Sequence, residues 1–94
     1  YFSTPINQVL VHSSLMGQCM ALTDVDLSTE LPGCSQGWVT FDCGAELPDS
    51  TRINSWEKFN IAQNALITER QVLLGVTNDQ SINGFCFAFR VDLK

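Results

Sequence analysis

Ninety-four residues with five Lys or Arg against ten Asp or Glu carry a formal charge of −5, which argues against a nucleic-acid backbone or an anionic lipid surface as partner. The length suits one domain over residues 1–94, and no apolar run approaches the ~20 residues that cross a bilayer as a helix. Such a chain buries only about 60–65% of its unfolded surface, so its four cysteines are read as disulfides that reinforce a small core in an oxidising compartment, secreted or periplasmic.

Tyr1–Pro5 is a lead-in, and the absence of an initiator Met fits a mature chain whose signal peptide has been removed. Ile6–Ser13 reads as a first strand with apolar residues on both faces, and Ser14–Gln18 as a turn. Cys19–Leu27 reads as a second strand, with Cys19, Ala21, Thr23, Val25 and Leu27 on one face and Asp24 and Asp26 on the other. Pro32 and Gly33 break any regular element, so Ser28–Gln36 is a loop. Gly37–Cys43 is a third strand in which Val39, Phe41 and Cys43 alternate with Trp38, Thr40 and Asp42.

A second loop, Gly44–Thr51, leads into a helix. Asn54 is placed as its N-cap, with Glu57 three residues on to complete a capping box. Trp56, Phe59, Ala62, Ala65 and Leu66, flanked by Ile61, make one apolar stripe at three- and four-residue steps, and Lys58, Asn60, Gln63, Asn64 and Ile67 fall mostly on the other side. The helix ends near Thr68–Arg70, where Arg70 suits the negative end. Gln71–Thr77 is a fourth strand, and Gly75 within it suggests a bulge or the close approach of another group. Asn78–Gly84 is a turn by composition. The last strand has the strictest pattern: Phe85, Phe87, Phe89, Val91 and Leu93 alternate with Cys86, Ala88, Arg90, Asp92 and Lys94, which places the phenylalanines inside.

The order β-β-β-α-β-β fits a β-rich α+β fold, a five-stranded OB-type barrel whose helix, between strands three and four, plugs one end. An open antiparallel sheet with one packed helix is the competing arrangement. Closure removes exposed sheet edges and favours the barrel. Within it, strands two and three form a hairpin that sets Cys19 opposite Cys43 on the inner face. Cys34, in the loop before strand three, has the parity of Trp38, and Cys86 has that of Ala88 and Arg90, the other faces of strands three and five, which are parallel neighbours in such a barrel. The expected bridges are Cys19–Cys43 and Cys34–Cys86, one of three possible pairings.

Little in the sequence suggests catalysis. The cysteine spacings of 15, 9 and 43 contain no C-x-x-C, so no metal site and no cofactor are expected. His12 and Ser13 are strand neighbours pointing to opposite faces and cannot form a dyad. Asp24 and Asp26 share a face and could lie within reach of each other as glycosidase carboxylates do, but the spacing carries no specificity and they are read as a solvated strand face. A non-enzymatic protein is the expectation. Trp38 on the outer face is the best candidate for ligand contact, since an aromatic ring beside amides and hydroxyls is a platform for a sugar; His12 and Ser13 are placed with it as candidate contacts. Covering a bridge, or meeting a second protomer, is the alternative role for Trp38, and plugging the barrel that for Trp56.

Gly33-Cys34, Gly37-Trp-Val-Thr-Phe-Asp42, a helix carrying Ala62-Gln-Asn-Ala65, then Gln71-Val-Leu-Leu74 and Gly84-Phe-Cys-Phe-Ala-Phe-Arg-Val-Asp92 together resemble small secreted bacterial proteins, the B subunits of subtilase cytotoxin and of pertussis-like toxins. The resemblance spans most of residues 6–93 in the order of elements. It implies an OB fold, a homopentameric ring, binding to cell-surface glycans, a sugar-contacting serine early in the chain at Ser13 or Ser3, and a separate A-type subunit for the catalytic work. The alternative is a secreted or periplasmic protein-interaction or inhibitor protein without glycan binding, docking through its long loops.

Overall fold

The computed structural model describes residues 1–12 and 17–94. Its elements are β1 (Phe2–Val11), β2 (Cys19–Thr23), α1 (Leu27–Glu30), β3 (Trp38–Thr40), α2 (Arg52–Thr68), β4 (Gln71–Ile82) and β5 (Phe85–Leu93). The strands close a mixed barrel in the order β1-β2-β3-β5-β4. One long strand makes the closure possible. The first half of β1, Phe2–Pro5, pairs with β4, and its second half, from Ile6, pairs with β2, with a register shift between Ile6 and Gln8 where the strand turns from one neighbour to the next. β3 and β5 run parallel, Val39 opposite Cys86. Every other pair is antiparallel.

Both expected bridges are present, Cys19–Cys43 and Cys34–Cys86. Their placement differs from the expectation of opposite walls: all four sulfurs belong to one buried cluster with Val39, Phe41 and Ala88. The cause lies in β5. Cys86, Ala88 and Val91 face the core, whereas Phe89 is 45% and Leu93 40% exposed. The expected inward face therefore holds for burial at Phe87 and Val91 and fails at Phe89 and Leu93. Gly75 pairs with Arg90 but Val76 with Ala88, so Phe89 is an extra residue that switches the inward parity from even to odd. Phe87 is fully buried but outside that core cluster. Alternation fixes that a strand exists; it cannot choose between two faces that both carry apolar residues.

Three boundaries shift for local reasons. β2 stops at Thr23, whose Oγ1 accepts from Val25 N at 3.4 Å. Asp26 then caps α1, accepting from Ser28 N at 3.0 Å, and Leu27 is buried as the first helical residue rather than the last of a strand. α2 is capped three residues before the expected position, by Thr51, whose Oγ1 accepts from Asn54 N at 3.2 Å. It ends on Glu69 in the left-handed region, where Arg70 N donates to Ala65 O. β4 continues to Ile82 because Asn83-Gly84 alone makes the reversal, both at positive φ as a type I′ turn requires. The residues between Thr77 and Ser81 bulge out of the ladder.

The stripe on α2 packs as its spacing predicts. Phe59, Ala62 and Ala65 are buried, Trp56, Ile61 and Leu66 pack against the core from its margin, and Ile67 is 78% exposed. Phe59 meets Phe41 and Trp56 edge-on, with ring centroids 6.3 and 5.6 Å away.

Candidate functional site

Among the described residues, two surface concavities carry aromatic side chains. The first is a groove of about 210 Å³ lined by Leu10, Met20, Trp38 and Phe85. It arises because β1, β2, β3 and β5 are successive neighbours in the barrel, so one outward residue from each meets the next. Trp38 is half-buried there, on the face away from Val39 and Phe41 as its parity requires. The lining is entirely apolar, without the amides and hydroxyls that orient a sugar.

The other expected contacts do not gather round it. His12 is exposed at the end of β1, its backbone N–H on Gln18 O at 2.7 Å, and it does not line the groove. Ser13 lies outside the described residues. Ser3 is exposed, and its Oγ accepts from Lys94 Nζ at 2.9 Å. Asp26 is engaged as the α1 cap, its carboxyl held below the usual carboxylate range by the Ser28 hydroxyl, and Asp24 accepts from Asn7 Nδ2 at 3.3 Å. The cysteines are all bridged, and among the described residues no group of three or more His, Cys, Asp or Glu could hold a metal ion.

The second concavity, of about 270 Å³, lies between the first turns of α2 and the bulged part of β5. Asp49, Asn54, Glu57, Lys58, Phe89 and Arg90 line it. Sequence reasoning missed it because its aromatic ring was assigned to the core. The bulge is what turns Phe89 outward. Gly75 sits beneath the ring: a Cβ there would lie 2.8 Å from two ring atoms of Phe89 and 3.1 Å from Tyr1, so glycine allows both rings to lie on the sheet. Tyr1 packs edge-on to Phe89 at 5.9 Å and shields one side of it.

The charges around this cleft are set by the fold. Asp42, fully buried at φ 56, accepts from Glu46 N at 3.1 Å, Leu47 N at 2.7 Å and the Ser50 hydroxyl, and so folds the segment before α2 into a compact loop. Gln80, from the bulged part of β4, donates to Asp49 Oδ2 at 2.6 Å and ties that loop to the sheet. Lys58, one turn into α2, reaches across to β5: Nζ donates to Ala88 O at 2.8 Å and lies 4.2 Å from the centroid of Phe87. Burial pushes the Lys58 ammonium down to about 8, with the Asp42 carboxylate opposing the shift. Arg90 forks onto Asp92 through Nε and Nη2 at 3.0 and 2.8 Å. That hydrogen bonding raises the arginine and lowers the aspartate relative to their ordinary values.

No protein-family model, curated protein or solved structure matches the chain. Among the described residues no helix is long and apolar enough to cross a membrane. The two disulfides fit an oxidising, non-cytoplasmic compartment.

Proposed function

We propose that the chain is a secreted binding module of the toxin B-subunit type, an OB-type barrel that recognises a carbohydrate through the cleft between α2 and β5. The observation that carries this reading is the composition of that cleft. An exposed aromatic ring, Phe89, stands beside an amide, Asn54, two carboxylates, Asp49 and Glu57, and the Lys58 amine. Sugars need both parts: their C–H faces pack on a ring while their hydroxyls require hydrogen-bond partners. The closed barrel with β3 and β5 parallel, and α2 between β3 and β4, supports the OB-type comparison. The homopentameric ring and the separate A-type catalytic subunit belong to this reading through the resemblance, which leaves no catalysis to the chain itself.

A glycan array read with the purified protein tests it. The wild type gives a reproducible signal, and Phe89→Ala lowers it at least tenfold without loss of the cooperative unfolding transition. Absence of any glycan signal removes the reading. Native mass spectrometry of the same sample tests the ring, which has five times the 10.4 kDa protomer mass.

The groove of Leu10, Met20, Trp38 and Phe85 favours a second reading, a protein-interaction or inhibitor module, because aromatic and Met-rich apolar surface is enriched at protein interfaces. A single stoichiometric protein partner captured from the native extracellular fraction, released by Trp38→Ala but not by Phe89→Ala, would select that reading.

A further inference from the structure

We propose that the α2–β5 cleft selects uncharged sugars, with Glu57 as the specificity-determining acceptor for a pair of adjacent hydroxyls, and rejects carboxylated and sulfated ones. This rests on the carbohydrate reading above and adds the class of ligand.

The charges at the cleft divide into those already committed and those left open. Both cations are engaged within the chain. The Arg90 guanidinium presents its fork to Asp92, and the Lys58 ammonium donates to Ala88 O over the Phe87 ring. The fork uses Nε and Nη2 and leaves the Nη1 side of the guanidinium open. An anionic sugar bound there would sit among three carboxylates, Asp92, Asp49 and Glu57, against the two cations. Like charges set together across a binding surface cost several kcal/mol, and the chain's net charge of −5 adds long-range repulsion to the encounter.

Acceptors are the groups left open. Glu57 is exposed and has no hydrogen-bond or ion-pair partner among the described residues, so both of its oxygens are available. Asp49 uses Oδ2 for Gln80, which leaves Oδ1. Two neighbouring hydroxyls on one ring can donate to one carboxylate, each as a charge-assisted bond. Asn54 offers a donor and an acceptor for a further hydroxyl, and Phe89 provides the apolar floor. About 270 Å³ lies just below the usual range of ligand pockets, about 300–1,000 Å³, and suits a terminal monosaccharide rather than a chain.

The test uses immobilised glycans ending in hexose or N-acetylhexosamine, beside the same cores capped with sialic acid, glucuronate or sulfate. Wild-type binding confined to the neutral set, and lowered at least tenfold by Glu57→Gln with unfolding midpoint unchanged, is the expected result. Strongest binding to the acidic caps overturns the selectivity while leaving the carbohydrate reading standing. Neutral binding that Glu57→Gln leaves within twofold overturns the role given to Glu57. No binding to either set overturns both the selectivity and the reading beneath it.

Discussion

Two side chains inside the molecule hold the cleft in place, and each has a measurable signature. Asp42 is buried in a left-handed conformation and accepts from two backbone N–H groups and a hydroxyl. Asp42→Asn keeps the shape and the tolerance for positive φ but replaces an accepting oxygen with a donor facing a donor. A cost of about 2 kcal/mol is expected, read as a lowered urea midpoint. Lys58 has the opposite character, a charge held at a partly buried position. Its amine titrates near 8 in the folded chain against an ordinary value of 10.5. Below pH 8 both states carry the proton, so nothing changes there. Between 8 and 10.5 the unfolded chain binds a proton that the native chain does not, so stability rises with pH through that window. Lys58→Met removes this contribution; the wild type should therefore gain stability relative to the variant between pH 8 and 10, and a pH-independent difference would contradict the assignment. Neither residue was legible in advance. Asp42 read as the outward member of an alternating strand and Lys58 as the polar side of a helix, because burial at both depends on chain that returns from elsewhere. The cysteine pairs were legible, since parity is a local rule and the adjacency of β3 and β5 comes with the barrel topology, and neither depends on which face points inward.

At the scale of elements, the stripe on α2 and the existence of all five strands could be read from period alone. The hairpin β4–β5 could be read only in part. Its Asn83-Gly84 turn has a specific chemical signal, yet the polar run before it obscured the continuation of β4. The bulge opposite Gly75 had a weaker signal, a glycine in a strand, which indicated an irregularity but not which neighbour needed the room. That neighbour is Phe89, and the irregularity is what turns its ring outward into the cleft. Gly75→Ala places a methyl 2.8 Å from the ring. Because Phe89 and Tyr1 are both exposed and able to swing aside, the stability loss should be modest, about 1 kcal/mol at the low end of overpacking costs. The displacement of the ring should nonetheless lower glycan binding several-fold. A variant that unfolds earlier but binds as the wild type would separate the bulge from the site.

For the whole molecule the question is what allows so short a chain to hold a closed barrel. Burial is limited at this size, and a domain of this length is held by roughly 5–14 kcal/mol on per-residue averages. The bridges span 24 and 52 residues, and loop closure gives each about 3–4 kcal/mol, the longer one slightly more. They also act at different joints. Cys19–Cys43 fastens the β2–β3 hairpin, whose pairing is already local. Cys34–Cys86 fastens the parallel contact of β3 with β5, which is made by only two registered pairs and separated in sequence by α2 and β4. Antiparallel hairpins re-form readily, whereas a parallel pair must first close a long loop. Cys34→Ala with Cys86→Ala should therefore slow refolding as well as lower stability by ~4 kcal/mol. Cys19→Ala with Cys43→Ala should lower stability comparably with little effect on the refolding rate. Replacement of all four cysteines should leave no cooperative transition at 37 °C. Stopped-flow refolding with the remaining bridge intact distinguishes these outcomes; equal slowing in both pairs would show that barrel closure does not wait on the β3–β5 joint.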